Sequence, residues 1–252
     1  MFSEPDASLN KSIVSIYEQY FSLTRDGALD SEHGLGGRLV FAGDLQGNGR
    51  DLLFAANVAG AASLAASADP LVQRQAVRDG VVDFLVTSLE EALRILKNEV
   101  RKRQAVSVGV GIDPGKLAAA MLDRGVLPDL LLPAWKSPLS EAQVERFEAD
   151  GARSIVSGAS LQQQFVTWAV DRDFVRWLPR LDACLHSVIP ESDLVRQRWL
   201  RLAPRYLGRM VQRQHGMTLT LAEADVFRKR AAALIETAIV EGKEPVQLRI
   251  DS

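Results

Sequence analysis

Apolar positions along the first 140 residues alternate between two periods. Ile13, Ile16, Tyr17, Tyr20 and Phe21 recur at helical spacing, so Ser8 to Thr24 is predicted as a helix with one apolar face. Asp26 to Gly37 is a polar, glycine-bearing loop. "RLVFAG" then forms a short buried strand, and an alanine-rich helix follows whose Leu53, Ala56, Val58, Gly60 and Ala61 suit close packing on a sheet. "ASLAASA" is a second strand of small residues. Asp69 and Pro70 open the next helix as N-cap acceptor and first helical residue. The helix ends at Asp79 and Gly80, and "VVDFLVT" is a strand. Ser88 with Glu91 reads as a capping box for a helix reaching about Arg103. "AVSVGVG", "GKLAAAMLDRG" and "PDLLLPAW" continue as strand, helix and strand.

Strands alternating with helices over this length imply a parallel sheet with helices on both faces, a Rossmann-like α/β arrangement. Beyond Pro138 the texture changes. A helix and one more βα step are expected over Ser140 to Leu161. Long helices are then expected over Leu161 to Val188, Glu191 to Gln214 and Thr220 to Glu241, the last opened by a Thr220/Glu223 capping box. "PVQLRID" is expected as an edge strand. The predicted fold class is therefore α/β, a Rossmann-like parallel sheet plus a mostly helical C-terminal region. The expected domains are residues 1–138 and 139–252.

Composition narrows the function classes. With 47% hydrophobic and 25% charged residues the chain is ordinary globular material. A net charge of -2 gives no bulk attraction to nucleic acid or anionic membrane. Its one cysteine, Cys184, excludes an internal disulfide and suits a reducing, cytoplasmic setting. The start, "MFSEPDASLNKS", is not a secretory signal. No apolar run approaches the roughly 18 residues of a membrane span.

The candidate chemistry lies at the carboxyl edge of the predicted sheet, where open parallel sheets bind ligands. Gly43, Gly47 and Gly49 sit in the turn after the first strand. Glycines there let a backbone approach a phosphate, which the following helix N-terminus attracts. Arg50 favours an anion, whereas Asp44 and Asp51 oppose it. The same stretch also reads as a plain βα turn. Asp69 occupies the place of a ribose-binding acid, or simply caps the next helix. Asp113 is a second acid at the crevice edge, or an Asx-type turn before Pro114. His33, His186 and His215 lack metal-ligand spacing, so no metal is expected. Cys184 and His186 are two apart and cannot pair on one helical face. Arg198, Arg201, Arg205, Arg209 and Arg213 form a basic stripe. It reads as an anion surface or as a solvated face; the second is preferred, and nucleic acid is not an expected partner.

"SIVSIYEQYF", "GLGGRLVFAG", "NVAGAASLAASADP", "DGVVDFLVTSLEEAL", "AVSVGVG" and "DRGVLPDLLLP" resemble, in order, the NAD-binding domain of urocanase over roughly Ser12 to Pro138. The resemblance implies NAD as cofactor, used as an electrophile, and a dimeric assembly. It assigns the cofactor loop, A-G-L-G-G-M-x-G-A-Q in the family, to residues 42–51, where Gly43 and Gly47 remain and the ending becomes Arg50, Asp51 and Leu52. The family's E-V-D-P becomes Ser67 followed by Asp69 and Pro70, and its asparagine-alanine pair becomes Asp113 and Pro114. Its Q-T-S-x-H segment becomes Ala134 to Pro138, without glutamine, threonine or histidine, and its catalytic-cysteine region has no counterpart. The expectation is a protein that binds a nucleotide or NAD-like ligand without hydrating urocanate. The alternatives are an NAD-dependent lyase acting on an imidazole-type substrate, and a non-catalytic assembly module. A homodimer is also expected from the apolar faces of the C-terminal helices, which carry Phe165, Trp168, Val170, Phe174, Trp177, Leu178, Leu181, Leu200, Leu207 and Val211.

Overall fold

The computed structural model describes residues 7–26, 29–156, 163–170, 172–240 and 248–251. Two compact units emerge, residues 15–158 and residues 1–14 with 159–252.

The first unit takes in helix α1 (Ala7–Asp26) from Ser15 onward, followed by β1 (Leu39–Asp44), α2 (Gly47–Ala59), β2 (Ala62–Ala66), α3 (Pro70–Arg78) and β3 (Phe84–Val86). Then come α4 (Leu89–Lys102), β4 (Val106–Val110), α5 (Pro114–Asp123), β5 (Leu130–Leu131), α6 (Glu141–Ala149) and β6 (Arg153–Ser154). The six strands form one parallel sheet in the order β3-β4-β2-β1-β5-β6. The chain leaves β1 toward β2 and returns on the other side at β5, so the pair β1/β5 is a topological switch point. β6 adds to β5, so the βα step expected after Ser140 belongs to this sheet.

Strand alternation sorts the helices between two faces. Phe41, Ala62, Leu64, Ala66, Val106, Val108 and Val110 point to a core completed by α4, α5 and α6, with Phe147 edge-on to Phe41. Ser107, between Val106 and Val108, points to the other face and receives the Asn57 amide of α2 at 3.3 Å. Asp83 closes this polar cluster by accepting from the Ser107 backbone amide and hydroxyl. The Ser88 cap also differs from expectation. Its hydroxyl accepts from the Glu91 amide, but the Glu91 carboxylate accepts from Thr87 instead of completing a reciprocal box.

The second unit departs from the expected long helices. Residues Gln164–Val170 form strand β7, and α7 is confined to Leu178–His186. α8 (Leu194–Leu207) stops before β8 (Gln214–Leu219), and α9 (Leu221–Val240) precedes β9 (Leu248–Asp251). The strands form an antiparallel sheet in the order β8-β7-β9, with the tail strand at an edge as expected. "QFVTWAV" satisfies both periods over its short length. Its β-branched and aromatic content, with Val166, Trp168 and Val170 buried on alternate positions, selects the strand. A Cβ at Gly216 in β8 would stand 2.7 Å from the far edge of the Phe165 ring, so a larger residue there would displace that ring. The arginine stripe is consequently broken up. Arg198, Arg201 and Arg205 share α8, Arg209 lies in a 3₁₀ turn and Arg213 precedes β8.

Of the apolar residues expected to need a dimer partner, Trp168, Val170, Trp177, Leu178, Leu181, Leu200, Leu207 and Val211 are all buried within the single chain. Their burial therefore does not require a second copy. No helix among the described residues is long and apolar enough to cross a membrane.

Two ionic clusters make testable contributions. Arg196 is buried and forks onto Glu223 at 2.6 and 2.9 Å while its Nε donates to Asp193 at 2.7 Å. Glu223 also completes the Thr220 capping box. Burial opposes ionisation of Glu223, but the bonds from Arg196 and the Thr220 amide outweigh it and hold its carboxyl below the usual value. Its stabilisation is therefore full above the unfolded value near 4.5 and is lost as pH falls through the folded value. Arg196→Met leaves this carboxylate desolvated without its partner and is expected to cost on the order of 3 kcal/mol at pH 7. In urea unfolding, the gap from the parent protein should narrow as pH falls toward 3, with no narrowing if Glu223 contributes nothing.

Asp51 has the opposite sign. Burial raises its carboxyl above the ordinary 3.8, partly offset by the Ser15 hydroxyl at 2.6 Å and by Arg50. Its contribution is thus present at low pH and lost as pH rises through the folded value. Asp51→Asn is expected to remove that loss. The variant's urea midpoint should exceed the parent's at pH 7 by more than at pH 4; a lower midpoint at pH 7 would contradict this.

Candidate functional site

The turn between β1 and α2 contains only Leu45 and Gln46. Three glycines make it possible, each for a different reason. Gly43 has φ +76°, and a Cβ there would stand 2.9 Å from Pro138 Cδ. Gly49 is buried in the first turn of α2, where a Cβ would lie 2.1 Å from the Asp44 carbonyl oxygen. Helix and strand can cross this closely only without a side chain. Gly47 has φ +53°, but nothing lies within 4 Å of its Cβ position. The first residue of α2 therefore faces open space.

The N-terminus of α2 is distinctive electrostatically. Each helix begins with backbone N–H groups that lack intrahelical acceptors. Asp69 accepts from the Leu71 amide at 2.8 Å at the start of α3, and Asp113 from the Lys116 amide at 3.0 Å at the start of α5. Ser88 and Ser140 cap α4 and α6. Gln46, the N-cap residue of α2, makes no such side-chain bond. Asp44 turns its carboxylate to the Leu45 amide at 2.6 Å and receives the Gln46 side chain at 3.5 Å, ahead of the helix. The α2 amides retain the positive end of the helix dipole without a side-chain acceptor.

Around this turn the polar side chains are already engaged. Arg50 lies over the Phe54 ring at 5.0 Å and faces Asp79 at 3.4 Å and Asp51 at 3.7 Å. Its guanidinium thus serves the packing of α2. Gln19 of α1 donates to the Asn48 carbonyl at 3.0 Å. Asn48 in turn donates to the Lys136 carbonyl at 3.3 Å, tying α2 to the 3₁₀ turn Ala134–Lys136 that follows β5. The Ser67 hydroxyl accepts from the Asp69 amide at 3.3 Å.

Gly43 at the end of β1 and Gly47, Gly49 and Arg50 at the start of α2 thus flank one turn. Asp69 and Asp113 start helices after the neighbouring strands β2 and β4, at the same edge of the sheet. Ser137 and Pro138 after β5 lie beside Gly43, and the Lys136 carbonyl is held by Asn48. The sequence pointed to this segment only through the family resemblance, which aligned Ala134 to Pro138 with Q-T-S-x-H, and it missed the linking role of Asn48; the switch point brings the segment beside the first turn.

The second unit carries its own polar cluster, in which the Asp182 carboxylate accepts from the Trp168 indole at 2.9 Å and meets His215 Nδ1 at 2.9 Å. Cys184 lies nearby in sequence on α7. Burial pushes its thiol up, with Arg230 opposing, so the reactive thiolate is disfavoured. Among the described residues no three His, Cys, Asp or Glu side chains converge in a way that could hold a metal ion.

Comparison with known proteins agrees with this topology. Residues 16–133 match the family model described as the urocanase Rossmann-like domain. The chain is 25% identical to S-methyl thiourocanate hydratase of Variovorax sp. (strain JCM 16519 / RA8), in an alignment of 303 positions covering 92% of this chain and 51% of that protein. The chain therefore spans about half the length of this curated relative. The parallel sheet, the glycine turn after β1 and the family match all fall on the same residues, so the segment 16–133 is similar to the urocanase Rossmann-like domain in both sequence and topology.

Proposed function

We propose that the domain holds a nucleotide or NAD-like ligand by a phosphate at the first turn of α2, and that this chain does not hydrate urocanate. The observation that carries the reading is the N-terminus of α2, which lacks a side-chain cap and lies beside open space at Gly47 on the switch-point edge of the sheet. A phosphate fits there: it can accept from helix N–H groups and needs no side chain removed. Gly47 and Asn48 are the residues that would hold it, with Lys136 supplying positive charge nearby.

The remainder of the family's cofactor surface does not fit in the same way. Ser67 stands in the slot of the family's glutamate, with its hydroxyl used on the Asp69 amide. Asp69 and Asp113 are occupied as helix caps. Pro138 packs over Gly43, in a segment without the family's glutamine, threonine and histidine. These departures support a retained phosphate site without the hydration chemistry.

The site is tested by paired substitutions at Gly47. Asn and Asp both tolerate its positive φ, so their backbone strain is matched and only the charge differs. Gly47→Asp should bind NAD at least about tenfold more weakly than Gly47→Asn in titration calorimetry, the effect of roughly 1.4 kcal/mol of like-charge repulsion. Equal affinities would put the ligand elsewhere, and absence of NAD binding in the parent protein, together with no nucleotide released from it on mass spectrometry, would overturn the reading. Separately, micromolar protein with added NAD should leave the ultraviolet absorbance of urocanate unchanged over hours. Sustained loss at an enzymatic rate would restore the hydratase assignment.

A further inference from the structure

Trp135 is 74% exposed, on a turn otherwise fixed by its neighbours. An indole has a large apolar area, and leaving it in water forgoes the favourable burial that most tryptophans obtain. The turn cannot simply fold it away. The Lys136 carbonyl is held by the Asn48 amide at 3.3 Å, and Pro138 rests where a Gly43 side chain would be. The anchors, Gly43 in β1 and Asn48 in α2, flank the β1–α2 turn, so the segment that carries the exposed indole is held beside the uncapped start of α2. The Lys136 ammonium sits 4.8 Å from the centroid of the Trp135 ring. One short segment therefore presents an aromatic plane and a cation next to helix amides that no side chain caps.

We propose that Trp135 is a stacking platform for the heteroaromatic ring of a nucleotide whose phosphate occupies the Gly47–Asn48 site. This rests on the phosphate-site reading above and adds the surface that selects a ring-bearing ligand over a bare phosphate. Every nucleobase and the nicotinamide ring offer a π-face to an indole, so the contact favours the class without choosing a base. Lys136, whose carbonyl is held by Asn48, adds positive charge to the same segment. Trp135 makes this contribution in binding only; it is a specificity-determining residue and has no part in proton or group transfer.

The test uses the whole chain and two probes, NAD and inorganic pyrophosphate, in titration calorimetry against the parent protein, Trp135→Ala and Trp135→Phe. Trp135→Ala should weaken NAD binding by about tenfold or more, the range for loss of one stacked ring. Trp135→Phe should restore affinity to within about threefold of the parent, because a smaller ring still stacks. Pyrophosphate affinity should be the same in all three. Unchanged NAD affinity in Trp135→Ala overturns the stacking role while leaving the phosphate site intact. Equal loss for both probes also overturns it, since Trp135 would then only hold the turn in place. A parent protein that binds neither probe overturns the phosphate-site reading itself.

Discussion

The close crossing of β1 and the first turn of α2 governs the architecture of the parallel sheet's carboxyl edge. A side chain at Gly49 would lie 2.1 Å from the Asp44 carbonyl, so the two elements can meet only with a hydrogen there. That contact permits a two-residue connection and sets α2 with its N-terminus at the sheet edge. From it follow the open flank at Gly47, the seat of Asn48 against Lys136, and the placement of Leu45 in the core. The glycines are therefore not interchangeable: one admits the crossing, one admits Pro138, and one leaves room.

The same edge shows how acids at the ends of parallel strands can serve the fold itself. Acids that could meet a ribose are instead helix caps, each bonded to an amide two or three residues ahead. Capping satisfies a donor that would otherwise lack a partner and places negative charge at the favourable helix end. Such residues stabilise the sheet's crossovers whether or not a ligand binds. Arg50, the basic residue in the first turn of α2, is similarly engaged by Asp79, Asp51 and the Phe54 ring. The positive potential at the start of α2 is therefore left chiefly to its backbone amides.

The second unit depends on a different constraint, the buried polar tips of large side chains. Trp168 and Trp199 are buried, yet each indole N–H has an acceptor, Asp182 and the Gly216 carbonyl respectively. Arg196 is stabilised in the same manner by two carboxylates. These bonds link α7, α8 and α9 to the antiparallel sheet at defined positions, where apolar packing alone would allow sliding.

The amino-acid sequence by itself determined the parallel sheet, because its longer strands are mostly apolar, most of its helices carry local caps, and both signals lie within a few residues of each other. Asp69 with Pro70, Ser140 with Gln143 and Thr220 with Glu223 act over three or four positions and could be read directly or from their spacing. The glycine turn was legible as a tight strand-to-helix connection for the same reason. Only tertiary structure decided that "QFVTWAV" is a strand, since seven residues satisfy either period until β8 and β9 supply hydrogen bonds on both sides. It also decided that Asn48 meets Lys136, 88 positions away, and that Pro138 covers Gly43. Those contacts are set by the order of strands in the sheet, a property of pairing between distant segments that no local pattern encodes.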